Sequence, residues 1–297
     1  MVRPIDPALY PFEPHHFDRG AGLRMHFLDE GSGQPVLMVH GNPSWSFYYR
    51  NLVLALRGTH RCIVPDHIGM GLSDKPGDES YAYTLAQRID DLEALVASLE
   101  LREPLTLVVH DWGGMIGMGW AIRHPEQVAR LVILNSAAFP LPAGKHLPWL
   151  LKLARTSLGA LLVRGFNAFA WGAARVGCTR HRMPAQVSAA YRAPYDSWAN
   201  RIATLRFVQD IPLHLADPAY ALVHHVAGNL ELFKATPALI VWGGKDFVFD
   251  NDFLAKWREN LPAAKLRYLA DAGHYVLEDA ADEVIPLVAN FIRSSHP

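Results

Sequence analysis

The chain has 297 residues, half of them hydrophobic, and a formal net charge of −1. This length favours one compact core with a sizeable insertion, and the near-neutral charge gives no reason to expect a nucleic-acid partner. Two cysteines do not make a disulfide framework, and no Cys/His cluster has zinc-site spacing, so we expect neither a metal nor another cofactor.

The hydrophobic pattern indicates where in the cell the protein is located. No window of about eighteen uncharged apolar residues occurs, which argues against a membrane span. The opening MVRPIDPALYPFEPHHF is rich in proline and acid and lacks the apolar stretch of a secretory signal. We therefore expect a cytoplasmic protein, with contact at a membrane surface left open.

From residue 23 onward, short apolar runs alternate with helical patterns. The pattern predicts strands at LRMHFLD, PVLMVHG, RCIVPD, LTLVVHD and VARLVILNS, a helix within SFYYRNLVLALR, and a glycine-rich helix from Gly113 to about His124. Continuous apolar strands separated by helices are typical of a parallel sheet that is covered on both faces. The predicted fold class is α/β, with a mostly parallel, doubly wound sheet.

The alternation stops in the middle of the chain. Residues 139–230 have the pattern of helices and turns, and the strand PALIVWG then restores the alternation. A strand near AKLRYLA and a helix from about Asp282 to Ile292 follow. We interpret residues 1–138 and 231–297 as one core domain and residues 139–230 as a helical cap inserted into it.

Four polar motifs follow predicted strands. They are HGNP at 40–43, HDWGG at 110–114, WGGKD at 242–246 and DAGHY at 271–275. Ligands bind at the carboxyl ends of strands in open parallel sheets, so these motifs are expected to meet. Asp111, between a strand and two glycines, has the local pattern of a nucleophile elbow with aspartate in place of the usual serine. Along the chain, Asp111, Asp246 and His274 follow the order nucleophile, acid and histidine.

With PDHIGMGLSDKP at 65–76, these motifs resemble the haloalkane-dehalogenase-like branch of the α/β-hydrolases over nearly the whole chain. Within that branch, the cap segment LLVRGFNAFAWGAARVGC is most similar to the β-lactone decarboxylases of bacterial long-chain olefin biosynthesis. Those enzymes release CO2 from a dialkyl β-lactone and leave a cis-alkene. The resemblance implies an α/β-hydrolase fold with an inserted helical cap and an Asp–His–Asp triad.

Asp111 is the expected nucleophile, because an ionised carboxylate attacks carbon and forms a covalent ester. Backbone N–H groups at the start of the next helix are expected to hold the anion and to keep its pKa low. The side chains of Asn42 and Trp112 are neutral donors for a leaving anion, as the matching pair is in the resembling dehalogenases. Their backbone N–H groups are expected to form the oxyanion hole for an ester intermediate.

His274 is expected to take a proton from water, so that the water oxygen attacks the ester on Asp111. Asp246 is expected to orient His274 and to stabilise its imidazolium. Some relatives place this acid after the preceding strand, but here Asn135 occupies that position. The acid is therefore assigned to Asp246.

Several functions stay open at the level of sequence. For a β-lactone, Asp111 attacks either the ring carbon that bears oxygen or the lactone carbonyl, and in the first route His274 is an organiser rather than a base. The alternatives are a haloalkane dehalogenase, an epoxide hydrolase, and a non-catalytic sensor or partner protein. Tyr191 and Tyr195 are expected to pack in the lid, although cap tyrosines donate to the ring oxygen in related epoxide hydrolases.

Other polar residues near the motifs are assigned to structure. His40 and His110 are expected to hold their loops together by hydrogen bonds. Asp66 in the loop at 65–76 is expected to make turns and caps.

The predicted cap is basic and apolar. Between Pro140 and Tyr195 the chain has eight Lys and Arg residues and no Asp or Glu. The interleaved segments LPWLL, LGALLV and FNAFAW are sufficient to line a tunnel, so we expect a small apolar substrate with long alkyl chains. Ordinary lid packing is the preferred interpretation of the cap, and contact with enzymes of the same pathway or with an anionic membrane is the alternative.

Overall fold

The computed structural model describes residues 5–294. Within them, eight strands form one sheet: β1 His15–Gly20, β2 Leu23–Glu30, β3 Gln34–Val39, β4 His60–Pro65, β5 Leu105–Asp111, β6 Val128–Ser136, β7 Ala238–Gly243 and β8 Lys265–Leu269. The α-helices are α1 Arg50–Leu56, α2 Leu85–Ser98, α3 Gly113–Ala121, α4 Trp149–Ala154, α5 Ser157–Phe166, α6 Ala168–Val176, α7 Ala185–Arg192, α8 Ile202–Gln209, α9 Tyr220–Gly228, α10 Asn251–Asn260, α11 Val276–Asp279 and α12 Ala281–Arg293.

The strand order in the sheet is β1-β2-β4-β3-β5-β6-β7-β8. Strand β2 pairs antiparallel with β1 and β4, and all other neighbours are parallel. This arrangement confirms the predicted α/β class with a mostly parallel sheet. It also brings the carboxyl ends of β3, β5, β6 and β7 to one edge, where the polar motifs follow.

Both faces of the sheet are covered, as the continuous apolar strands predict. Along β3, Leu37 and Val39 face one apolar cluster, to which α2 and α3 contribute. Val36 and Met38 face the opposite cluster, to which α1 and α12 contribute. The alternation follows from the two-residue period of a strand, which sends successive side chains to opposite faces.

The sequence pattern did not predict β1, α2, α10 and α11. Strand β1 has the polar sequence HHFDRG and is mostly exposed, so it carries no apolar signal and forms only because β2 provides a neighbour. Helix α2 begins after Thr84, whose side chain accepts a hydrogen bond from the Gln87 N–H. A threonine cap followed by an apolar periodic run is a recognisable start signal for a helix.

The glycine-rich helix after Asp111 is shorter than predicted. It ends at Ala121 instead of near His124, and a short 3₁₀ turn begins at Pro125. Proline disfavours the helical conformation of the residue before it, so the helix ends ahead of that position.

Between β6 and β7 the chain forms α4 to α9. A separate apolar cluster joins α4, α5 and α8 through Leu147, Leu151, Val163, Leu205 and Val208. Helix α9 instead packs against α3, a helix of the core. The domain limits drawn after residues 138 and 230 stay a prediction. No helix in residues 5–294 is long and apolar enough to cross a membrane.

Candidate active site

Asp111 lies at the sharp turn between β5 and α3. Its backbone φ is +52°, in the left-handed region that few residues other than glycine adopt. A Cβ at Gly113 would overlap the Val39 carbonyl oxygen, and a Cβ at Gly41 would overlap the Asp111 carboxylate. The two glycines therefore let three backbone segments converge, and the strained turn directs the Asp111 side chain above the sheet.

The two carboxylate oxygens of Asp111 have different surroundings. Oδ1 accepts a hydrogen bond of 2.6 Å from the backbone N–H of Asn42. Oδ2 lies 3.7 Å from Nε2 of His274, and the side chain lines a cavity. One oxygen is thus held by the protein, and the other is positioned to attack a molecule in that cavity.

The pKa of Asp111 differs from the sequence expectation. Burial raises it to about 6, while the charge of His274 and the backbone N–H groups of Asn42 and Trp112 lower it only in part. The prediction of a low pKa was wrong because it weighed the donors and omitted the loss of water around the carboxylate. The anion is still the major form at neutral pH, and its poor solvation favours nucleophilic attack.

His274 and Asp246 lie where a base and its orienting acid are required. Nδ1 of His274 is 2.6 Å from Oδ2 of Asp246. Burial alone lowers the pKa of His274, but the charge and hydrogen bond of Asp246, together with Asp111, raise it overall. The other oxygen of Asp246 accepts from the N–H groups of Val248 and Phe249, at 2.8 and 3.2 Å. The Asp246 carboxylate is therefore fixed in place and holds the imidazole in orientation.

Asn135 has a part in the site that the sequence analysis missed. Its Nδ2 donates to Asp246 Oδ2 at 3.0 Å and to the Gly243 carbonyl at 3.1 Å, while its Oδ1 accepts from the Gly243 N–H at 2.7 Å. The amide thus joins the ends of β6 and β7 and orients the acid. The position of an asparagine at a strand end could have suggested this role. Its side chain forms hydrogen bonds with nearby backbone, and asparagine tolerates the positive φ that is observed here.

Asn42 and Trp112 line the same cavity as Asp111 and His274. Asn42 Nδ2 donates to the Thr204 carbonyl at 3.0 Å, which uses one of the two N–H bonds of that nitrogen. The Trp112 ring packs edge-on against Phe207, with ring centroids 5.4 Å apart. Both side chains are consequently held in place by residues of α8.

The cavity above Asp111 has a volume of about 330 Å³. Its polar lining includes Asn42, Asp111 and His274 at the sheet edge, with Lys145 and His146 from the loop before α4. The other walls are chiefly aliphatic and aromatic side chains of α4, α5 and α6 and of the loops that follow β6, α8 and β7. A dry pocket with a carboxylate at one end is suited to an apolar electrophile.

The polar residues that were assigned to structure have structural contacts. His40 Nδ1 bonds to the Gly41 carbonyl at 2.7 Å, and His110 Nε2 bonds to the His274 carbonyl at 3.0 Å. Asp66 accepts from the N–H groups of Ser46 and Leu72. These contacts hold the loops around the site, as predicted.

The two cap tyrosines do not line the cavity. The hydroxyl of Tyr191 donates to Glu278, and that of Tyr195 lies 3.5 Å from the Ser44 carbonyl. Both are buried, which confirms the expected packing role.

Comparison with known proteins agrees with this architecture. A family model described as the alpha/beta hydrolase fold matches residues 34–281. A cis-3-alkyl-4-alkyloxetan-2-one decarboxylase of Shewanella oneidensis is 60% identical, over 97% of this chain and 91% of the relative. Haloalkane dehalogenase 2 of Mycobacterium bovis is 33% identical, over 94% of each chain.

The fold is also shared with solved structures. The crystal structure of a putative ancestral haloalkane dehalogenase is 26% identical, has a TM-score of 0.83, and is matched over 94% of this chain and 98% of its own. The resemblance drawn from the motifs is confirmed. The chain belongs to the α/β-hydrolase fold family, in the branch that contains the cis-3-alkyl-4-alkyloxetan-2-one decarboxylases and the haloalkane dehalogenases.

Proposed function

We propose that this protein is a β-lactone decarboxylase that converts a cis-3-alkyl-4-alkyloxetan-2-one into a cis-alkene and CO2. The observation that carries the proposal is the Asp111 carboxylate, with one oxygen held by Asn42 and the other facing an apolar cavity. The 60% identity to a relative of that name supports the choice of substrate. The substrate is small and apolar, with alkyl chains that lie along the cap helices.

In the first step, Asp111 Oδ2 attacks C4 of the ring, the carbon that bears the ring oxygen. The C4–O bond breaks, a C4–Oδ2 ester bond forms with inversion, and the ring opens to a free carboxylate on C3. The side-chain N–H of Asn42 and the indole N–H of Trp112 stabilise this departing carboxylate. Oδ1 becomes the ester carbonyl oxygen and keeps its hydrogen bond from the Asn42 backbone.

In the second step, the bond between C3 and the carboxylate breaks and its electron pair forms the double bond. The C4–Oδ2 bond breaks on the opposite side, which regenerates the Asp111 anion and releases CO2. Inversion followed by anti elimination keeps the two alkyl groups cis. Neither water nor a proton is consumed, so His274 acts by positioning rather than as a base.

The surroundings of Asp111 support attack at C4 over attack at the lactone carbonyl. Carbonyl attack places a negative charge on the substrate oxygen and requires oxyanion-hole donors for it. The backbone N–H of Asn42 already bonds Oδ1 of the nucleophile itself. Displacement at C4 needs donors only for a leaving carboxylate, and the side chains of Asn42 and Trp112 line the cavity beside Asp111.

The test is incubation of the purified protein with a cis-3,4-dialkyl β-lactone, followed by measurement of alkene and CO2. We expect cis-alkene and CO2 in equal amounts, and no product from the Asp111→Asn variant. Hydroxy acid instead of alkene would show that the protein is a lactone hydrolase and would reject the proposal. A trans-alkene would reject the two-step stereochemistry.

Haloalkane dehalogenation is a second candidate, favoured by the Asn42 and Trp112 side chains beside the nucleophile. In that reaction Asp111 displaces a halide, and His274 activates water to hydrolyse the ester. Halide release from bromoalkanes and iodoalkanes by the wild type, with an alkyl adduct on Asp111 trapped in His274→Ala, is the expected result for this activity. Absence of both halide and adduct excludes it.

A further inference from the structure

The cap helices carry large apolar side chains that are exposed to solvent. Six of them are named here as the apolar patch: Trp149, Leu158, Leu161, Phe166, Trp171 and Trp198. Phe166 and Trp149 are 73% and 69% exposed. Contiguous exposed apolar area of this kind marks a surface that binds something apolar.

The members of the apolar patch lie on neighbouring elements. Helix α5, which carries three of them, packs against both α4 and α6. A Cβ placed at Gly165 of α5 would contact Leu161 at 3.6 Å and Trp198 at 3.8 Å, so these two side chains meet over that glycine. Leu161 and Trp198 are therefore neighbours on this surface, and the other members lie on α5 or on a helix that packs against it.

Most charges around the apolar patch are positive, and the exposed Asp196, two residues before Trp198, is an acidic exception. Residues 140–195 contain no Asp or Glu, and Lys152 and Arg175 are exposed on α4 and α6. The guanidinium of Arg164 lies 4.6 Å from the ring centre of Trp198, and that of Arg175 lies 5.5 Å from Trp171. Tryptophans beside cations on one surface match the boundary between lipid headgroups and acyl chains.

The apolar patch is continuous with the mouth of the active-site cavity. Leu150 and Val176 are about half exposed, at 48% and 47%, and both also line the cavity. They stand beside the patch on α4 and α6. An alkyl chain that leaves the bilayer at this surface reaches the cavity along apolar side chains.

We propose that the apolar patch docks on the surface of an anionic lipid bilayer. Phe166 and Trp171 insert below the headgroups, and Lys152 and Arg175 contact the lipid phosphates. Docking itself is independent of the reaction. The further step, that a dialkyl substrate enters the cavity through the docked apolar patch, rests on the proposed function.

The test is flotation of the whole protein with vesicles of phosphatidylcholine, with and without phosphatidylglycerol. We expect retention on the vesicles that contain phosphatidylglycerol, and weaker retention as salt increases. The double variant Phe166→Ser/Trp171→Ser should bind at least about tenfold more weakly. Each of Lys152→Gln and Arg175→Gln should weaken binding about fivefold on anionic vesicles only.

The matched control is Leu54→Ser/Leu266→Ser, which removes two exposed leucines of the core domain and should bind as the wild type does. Circular dichroism checks that all variants are folded. Absence of wild-type binding, or binding that the patch variant retains, overturns the proposal. Light scattering that finds a dimer of the wild type and a monomer of the patch variant also overturns it, since a second copy then covers the patch.

Alkene formation from a short, water-soluble β-lactone separates docking from catalysis. The patch variant should keep this activity, because the apolar patch does not include the residues around Asp111. If neither the wild type nor any variant forms alkene, but vesicle binding follows the expected pattern, the proposed function fails and the docking proposal stands.

Discussion

Asp111 combines three properties that are each unfavourable for a carboxylate in a folded protein. Its backbone is in the left-handed region, its side chain is buried, and its pKa is raised to about 6. Strain and poor solvation of this kind are concentrated at sites where a reactive group must be presented rather than packed away. The hydrogen bond from Asn42 compensates one oxygen and leaves the other free to react.

The pH dependence of the reaction follows from this pKa. Only the anion of Asp111 attacks carbon, so kcat/KM for a β-lactone should fall about tenfold per pH unit below about pH 6. Initial rates at low substrate concentration across a pH series measure the acidic side of this pH profile. A profile that is flat down to about pH 5 would contradict the nucleophile role of a carboxyl with this pKa.

Replacing Asp111 should increase stability while removing activity. Since the folded-state pKa lies above the unfolded one, the folded protein binds the extra proton, and stability is lost as pH rises from about 4 through about 6. Asp111→Asn keeps a neutral side chain, so it should be about 2–3 kcal/mol more stable than the wild type at about pH 8 and equal to it near pH 4. Denaturant unfolding at the two pH values measures this. If the variant and the wild type differed in unfolding free energy by the same amount at both pH values, burial of the charge would not be the cause.

At the scale of secondary-structure elements, the site depends on how closely strand ends and helix starts approach. Helix α3 begins against the end of β3, with no space for a side chain at Gly113. Asn135 joins the ends of β6 and β7 on the other side of Asp111. Because of these contacts, Asp111, Asp246 and His274 lie close together although they are far apart in sequence.

Two glycine substitutions distinguish the effect of close backbone approach on stability from the effect of helix propensity. Gly113→Ala introduces a Cβ that overlaps the Val39 carbonyl oxygen and should reduce both stability and activity strongly. Gly172→Ala lies within α6, and apart from the adjoining backbone of that helix and the two neighbouring residues, no atom of the described residues lies within 4 Å of its new Cβ. It should stabilise the protein by up to about 1 kcal/mol through helix propensity. Thermal unfolding of both variants is the measurement, and equal effects would contradict the packing around α3.

At the scale of the whole molecule, the reactive groups and the substrate walls come from different parts of the chain. Asp111, Asp246 and His274 follow strands of the sheet, whereas the segment between β6 and β7 supplies most of the apolar lining. In the proposed reaction, the residues after the strands therefore select the bond that is broken. The helices between β6 and β7 select the alkyl groups that fit beside it.

This division predicts that a cap substitution alters chain-length preference alone. Gly172 lines the cavity and has free space at its Cβ position. Gly172→Trp should lower kcat/KM for long-chain β-lactones about tenfold or more, the equivalent of two methylene groups left unburied, and leave short-chain substrates unaffected. Competition between a short and a long lactone in one reaction measures the ratio. Equal losses for both substrates would place the alkyl chains elsewhere.

Much of this site was accessible from sequence because its residues stand directly after strands. The apolar runs that end at Asp111 and before Asp246 predict a parallel sheet, and such a sheet brings its carboxyl-terminal loops together. Strand β1 and the role of Asn135 were missed, since one has no apolar pattern and the other acts through contacts with residues distant in sequence. The pKa of Asp111 was misjudged for a related reason, because burial is a property of the packed molecule.

The sequence by itself determined the α/β class and the family, and it predicted Asp111, Asp246 and His274 as the nucleophile, the acid and the histidine. These depend on local patterns: two-residue and helical periodicity, glycines at a turn, and polar residues that follow strands. Only the tertiary structure decided that Asn42 holds one oxygen of Asp111, that the carboxyl has a raised pKa, and that the cap leaves aromatic side chains in solvent. Those features depend on desolvation and on contacts between distant residues, which exist only once the chain has packed.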